Sequence, residues 1–333
     1  MAVVFMEGFD HISGAQVAPK GWTGGFIDAQ AGRFGGQCMR HQGSSAAHSL
    51  PSSYSTAIIG VAVLPNVNNL NDNMVGFRNG STIVAAVRAV TVGPINVWRV
   101  VNSAGTTLAT GTTSIVLGQW VYIELKVTVS ATVGTVEVRL NGASTAECSA
   151  TNVNTGASNI DTILISALNA QTFYDDIYIC DTSGSAPTND FLGDCRIETL
   201  RGTAEGANTA WTANTGTKVS RVNDTSSYDS DTGYIYSSTP GDRETFTNGS
   251  LATTTGTVYA VQTNVVARKD GAAARTIAPV IRKSGVNYDG TTTAALGASY
   301  VDYMQLYDRQ DPAGVDWSIA TVNAMEVGVK EVA

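Results

Sequence analysis

The chain has 333 residues, of which 43% are hydrophobic and only 14% charged, with 34 glycines and a formal net charge of −8. Apolar content on that scale supports packed cores and excludes a disordered acidic chain. Acidity without a cluster of Lys and Arg excludes a duplex nucleic-acid binder and attachment to an anionic membrane surface, and no apolar run approaches the roughly 18 residues needed for membrane insertion.

The length fits two domains, and the abundance of Thr, Ser, Asn, Gly and Val is that of sheets and tight turns. Residues 1–7 read as a short apolar strand, without the basic and long apolar stretches of an export signal. Further strands are predicted at 56–64, 74–78, 82–90 and 96–101. Val121, Ile123, Leu125 and Val127 then alternate with Tyr122, Glu124, Lys126 and Thr128, and Val136, Val138 and Leu140 alternate with Thr135, Glu137 and Arg139. Period-two patterns of this kind make a hairpin with one apolar and one polar face. Glu124, Lys126, Glu137 and Arg139 are expected to share the wet face, each cross-strand pair adding a few tenths of a kcal/mol. Asn141-Gly142 marks a tight turn. Strands at 162–167 and 173–180 complete the first domain.

Residues 182–195 are polar and carry Pro187, which predicts a linker between a first domain at 1–181 and a second at 196–333. In the second domain, strands are predicted at 257–267, 276–282 and 300–307, with turns at Lys269-Asp270-Gly271 and Lys283-Ser284-Gly285. One short helix at 317–325 precedes a last strand at 326–332. The expected fold is all-β: two tandem antiparallel β-sandwich domains of jelly-roll type.

Three segments carry a family resemblance. Gly32-Arg33-Phe34-Gly35-Gly36 followed by Cys38-Met39-Arg40, Trp120 with the hairpin ending at Asn141-Gly142, and Phe173-Tyr174-Asp175-Asp176-Ile177-Tyr178-Ile179 resemble, in that order, the laminin-G/concanavalin-like jelly rolls. Downstream, Asp190-Phe191-Leu192-Gly193-Asp194-Cys195-Arg196, Val258-Tyr259-Ala260-Val261-Gln262 and Asn287-Tyr288-Asp289-Gly290 resemble segments of bacteriophage and prophage structural proteins, as do Trp211-Thr212, Ala267-Arg268-Lys269-Asp270 and the stretch from Trp317 to Val329. That resemblance implies a virion component made in the bacterial host cytoplasm, with other capsid or tail proteins as partners. Particle proteins follow the symmetry of the site they occupy, and a homotrimer is expected.

Catalysis finds little footing. Jelly-roll glycosidases resembling the first domain carry E-x-D-x-x-E on one strand; Glu124 is followed by Leu-Lys-Val and Glu137 by Val-Arg-Leu. With Lys126 and Arg139 beside them, both glutamates are expected to stay ionised. His11, His41 and His48 show no triad pattern, no nucleophile elbow occurs, and His41 and His48 are placed in a polar loop. The resemblance implies a structural calcium, for which Glu7, Asp10, Asp175 and Asp176 are the candidate ligands. Asp175 shares strand parity with Ile177 and Ile179, so it is expected to point inward and to need a cation, backbone N–H groups or Arg33 as partner. The acidic run from Asp224 to Gly233 lacks EF-hand spacing and reads as a solvated loop.

Exposed aromatics are the candidates for glycan contact: Tyr174 and Tyr178 on one strand face, Tyr234, Tyr236 and Tyr288 near turns, and Trp22 between glycines. Trp98, Trp120, Trp211 and Trp317 read as core. Cys38, Cys148, Cys180 and Cys195 lack zinc spacing and read as free thiols, with a Cys180–Cys195 disulfide as the alternative. The expected function is that of a non-catalytic surface protein of the particle, a head decoration, fibre or tail component. The alternatives are an adhesin for host surface glycan and a glycan depolymerase.

Overall fold

The computed structural model describes residues 3–333 except 15, 16, 19, 30, 66–70, 168–170, 226 and 227. The described residues form antiparallel sheets with one short α-helix, Ile319–Ala324. Two compact units divide the chain, Met1–Ile197 and Glu198–Ala333.

The first unit is a sandwich of two large sheets. One runs in the order Cys148–Val153, Gly134–Leu140, Val121–Thr128, Thr56–Leu64, Thr172–Asp181, Cys38–His41, Phe26–Asp28, with Val3–Glu7 also pairing with Thr172–Asp181. The other runs Thr107–Thr110, Ile95–Val101, Thr82–Val92, Asn73–Asn79, Ile160–Ala167, Ser44–Tyr54, Trp22–Thr23. Alternation sends Ile59, Val61, Val63, Ile123, Leu125 and Val127 inward from the first sheet, against Val75, Phe77, Trp98, Ile163 and Ile165 from the second. Each such side chain contributes about 1.5–3 kcal/mol on burial, and this layer is what holds the strands in register.

Parity breaks once. Tyr174 faces Val63 and Asp175 faces Ala62, but the next partner of the neighbouring strand, Gly60, stands opposite Tyr178. The bulge lies at Asp176, whose φ is +52°. It keeps Tyr174, Ile177 and Ile179 in the core while turning Asp175 and Tyr178 to the outer face. Asp175 is therefore not on the inward parity of the two isoleucines. Tyr174 and Tyr178 lie on opposite faces, and both are buried.

The division between the units falls at 197/198, not at a linker over 182–195. Thr188 and Leu192 are buried, and residues 190–197 pack across the outer face of the eight-stranded sheet. Its centre is closed as a result: Ile58, Ala62, Tyr122, Glu124, Tyr178 and Cys180 are all buried.

The second unit has a five-stranded sheet in the order Gly202–Thr209, Arg243–Asn248, Glu326–Glu331, Ile277–Lys283, Val286–Asp289. Its second layer is only a ribbon, Ala260–Ala267 paired with Val301–Asp308, together with the two-residue strands Thr212–Ala213 and Ile235–Tyr236. Val261 and Tyr307 pack on a cluster of Ile281, Trp317, Val322 and Met325, and Val265 and Tyr303 on Ile277, Leu296 and Val329. The helix is capped by Ser318, whose side chain accepts from the Thr321 N–H.

Candidate functional site

A group of ionisable side chains in the first unit lies on the outer face of the eight-stranded sheet. Tyr122 and Glu124 project from one strand of it, and Asp175, Asp176 and Tyr178 from the bulged strand two places away. Tyr122 and Tyr178 lie nearly parallel across the intervening strand, with ring centroids 6.4 Å apart and planes inclined by 21°. The Tyr122 hydroxyl donates to the Asp176 carbonyl at 3.0 Å. The Tyr178 hydroxyl donates to Glu124 Oε1.

Residues 190–197 close this surface by presenting backbone donors to it. Gly193 N–H donates to Glu124 Oε1 at 2.8 Å, Leu192 N–H to the Tyr178 hydroxyl at 3.1 Å, and Ile197 N–H to Asp176 Oδ1 at 2.7 Å. Phe191 lies under the guanidinium of Arg139, 4.1 Å from its ring centroid. Lys126 pairs with Asp190 at 2.9 Å.

Arg33 ties the remaining parts together. Its backbone N–H donates to Asp175 Oδ2 at 2.9 Å, and its guanidinium lies 3.6 Å from Asp176, 2.6 Å from Asp194 and 3.2 Å from the Cys195 carbonyl. The same guanidinium stacks on Tyr122 and on Phe34, and Arg196 stacks on Phe34 from its own side, 4.5 Å from the ring centroid. Cation–π contacts at such distances are worth about 0.5–2 kcal/mol each.

Burial sets the electrostatics. It raises the Glu124 carboxyl above its ordinary range, against the opposing hydrogen bonds from Tyr178 and Gly193. Burial, then the neighbouring Asp176 charge, raises Asp175; burial raises Asp176, opposed by the Ile197 N–H and by Arg33. Glu124 Oε2 and Asp176 Oδ2 are buried without a hydrogen bond.

Several expectations change. Glu137 and Arg139 do form a polar pair, at 2.8 Å, and Glu124 stands on the same face opposite Arg139, but it is buried and not wet, because Leu192 and Gly193 lie over it. Its carboxyl is accordingly raised, not held in the ordinary ionised range. His41 and His48 lie on strands with their side chains buried, and not in a polar loop. Burial pushes His41 down to about 4; His48 Nε2 meets the Lys20 carbonyl at 3.0 Å. Trp22 is buried: it pairs with His48 across two strands and packs on Phe5 and Phe9. None of the four cysteines is in a disulfide, so Cys180 and Cys195 are not bridged.

The four calcium candidates are engaged separately. Glu7 Oε1 accepts from the Phe9 N–H at 2.9 Å and Asp10 Oδ1 from the Gln37 N–H at 2.7 Å. Asp175 takes the Arg33 and Asp176 N–H groups, and Asp176 takes that of Ile197. Among the described residues, no three His, Cys, Asp or Glu side chains are grouped to hold a metal ion. In the second unit, Asp231 meets Arg268 at 2.6 Å and Asp229 lies 3.8 Å from Arg221; Ser226 and Ser227 of that acidic run lie outside the described residues.

No protein-family model matches the chain, and no curated protein matches it. Among solved structures it is similar to domain 4 of an extracellular arabinanase from Geobacillus stearothermophilus in complex with arabinotriose, at 18% identity and a TM-score of 0.35, over 53% of this chain and 93% of that one. An alginate lyase from Chlorella virus matches at 9% identity and a TM-score of 0.33, over 52% of this chain and 99% of its own. A sialidase of Trypanosoma rangeli matches at 10% identity and a TM-score of 0.33, over 47% of this chain and 27% of its own.

Proposed function

We propose that the chain is a non-catalytic structural protein, a surface component of a bacteriophage head or tail that works through its rigid sandwich and its interfaces. The observation that carries the non-catalytic reading is the use made of Glu124. A general acid must reach the substrate and give up its proton there. Glu124 instead accepts from Tyr178 and from the Gly193 backbone beneath the segment that covers it. Its hairpin neighbour Glu137 is spent on Arg139. Carboxylates arranged in this way fasten a covering segment to a sheet. The resemblance of segments within residues 180–333 to phage structural proteins supports the virion setting, with other particle proteins and further copies of the chain as partners.

Two measurements test the reading together. Mass spectrometry of purified particles from a host carrying the gene is expected to find the chain at stoichiometric level. Purified protein incubated with capsule or lipopolysaccharide is expected to release no reducing ends. Turnover abolished by Glu124→Gln overturns the non-catalytic assignment; absence from every particle fraction overturns the virion assignment.

A further inference from the structure

Residues 234–236 of the second unit are divided by strand alternation. Ile235 packs toward Ile277, Leu296 and Val329, so Tyr234 and Tyr236 point the opposite way. Both rings stand in water, 36% and 51% exposed, with centroids 6.1 Å apart and planes inclined by 56°. The backbone beneath them is fixed. The Tyr234 N–H donates to Asn214 Oδ1 at 3.1 Å, the Asn214 N–H donates to the Tyr234 carbonyl at 3.0 Å, and Asn214 Nδ2 donates to the Thr232 carbonyl at 3.1 Å. Thr212, also exposed, stands opposite Tyr236 in register. Alternation requires only that these two positions face outward; small polar residues would satisfy it, and two large rings occupy them.

Charges along the same segment are already compensated. Asp231 accepts from Arg268 at 2.6 Å and from the Tyr300 hydroxyl at 2.9 Å, and Asp229 lies 3.8 Å from Arg221. What the ribbon offers a ligand is ring surface with hydroxyl groups at its edge. Tyrosine gives such contact area at low conformational cost, having only two side-chain torsions. A protein partner of ordinary stability would cover about 800 Å² on each side, far more than two rings on a two-residue strand present.

We infer that the Tyr234–Tyr236 ribbon is a binding platform for a neutral saccharide chain. A pyranose ring carries C–H groups on its face and hydroxyls around its rim. The face packs on the tyrosine rings, and the rim bonds to the phenol and Thr212 hydroxyls. The inference goes beyond the structural assignment above and stands or falls separately from it, since it concerns the second unit and requires neither a particle nor Glu124.

Affinity electrophoresis of the full chain tests it, in native gels containing dextran, galactomannan, hydroxyethylcellulose or, as the acidic comparison, polygalacturonate. At least one neutral polymer is expected to retard the protein. The double substitution Tyr234→Ala with Tyr236→Ala is expected to weaken that retardation about tenfold, the scale of an aromatic contact. The corresponding double Phe variant keeps the rings and is expected to stay within about threefold of the native chain. Phe26→Ala, which removes an exposed ring from the first unit, is expected to change nothing. Far-UV circular dichroism of each variant verifies the fold, and thermal melts verify its stability. Retardation by no neutral polymer, by polygalacturonate alone, or equally in native and double-Ala proteins overturns the inference, as does loss of binding in Phe26→Ala.

Discussion

The ring of Tyr178 lies across Gly60 on the neighbouring strand, so closely that a Cβ on Gly60 would stand 2.0 Å from Tyr178 Cε1. The ring cannot move without releasing its hydroxyl from Glu124 and from the Leu192 N–H. Gly60→Ala is therefore expected to destabilise the first unit by about 3 kcal/mol, combining overpacking with a lost buried hydrogen bond. Urea unfolding followed by fluorescence measures it, and a shift below about 1 kcal/mol would contradict this account of the contact.

The two glutamates of the hairpin are expected to behave differently. Glu124→Ala leaves the Tyr178 hydroxyl and the Gly193 N–H without their acceptor and is expected to cost about 2–3 kcal/mol. Glu137→Ala breaks only a half-exposed pair with Arg139 and is expected to cost under about 1 kcal/mol. Equal effects in parallel unfolding curves would show that the covering segment does not bury Glu124 in solution.

The pH dependence follows from Asp175. Burial and the Asp176 charge push it up to about 8 from an ordinary 3.8. A carboxyl raised by folding favours the folded state when protonated, so its contribution is complete below the ordinary value and is lost as pH rises through the raised one. Glu124, also raised by burial, acts in the same direction. Between the two values cited for Asp175, the native chain is expected to lose stability with rising pH more steeply than Asp175→Asn. Thermal melts of both proteins across that range, at constant ionic strength, decide it. Parallel profiles would remove Asp175 from the titration.

Fragments test where the first unit ends. Residues 1–197 are expected to fold alone, whereas 1–181 lacks Leu192 and the three backbone donors to Glu124, Tyr178 and Asp176. The shorter fragment is expected to be less stable by about 3 kcal/mol or more. Equal melting temperatures would make 182–197 a linker after all.

Two strands were legible in the sequence for different reasons: Val121–Thr128 carries an apolar residue at every second position because one face must meet the opposite sheet, and Thr56–Leu64 is a near-continuous apolar run because both its faces are buried. Ser44–Tyr54 was not, since SSAAHSLPSSY holds few large apolar side chains and a proline. Gly202–Thr209 was missed for a related reason: it lies at a sheet edge, where neither face of GTAEGANT need be apolar. The glutamate pair was chosen by residue type and the calcium candidates on the family resemblance; the surroundings of Asp175 and Asp176 depend on the bulge, and those of Glu124 on the segment over it. A bulge adds one residue without a compositional mark. The polar segment 182–195 reads as a linker because the binding of its end and of the residues just after it is done by backbone N–H groups, which every residue but proline possesses. Leu192 and the aromatic Phe191 were the available signal.

The covering segment also has a mechanical consequence. It runs without interruption into the second unit at Glu198, so a load on that unit reaches Ile197 first. Along the segment from that end come the Ile197–Asp176 bond, the Arg33–Asp194 pair and the Gly193–Glu124 bond in turn. Release of all three leaves the ladders of the sandwich beneath closed, since none of them is a strand-pairing bond. Released, residues 190–197 would span a few nanometres (roughly 3.3 Å for each residue).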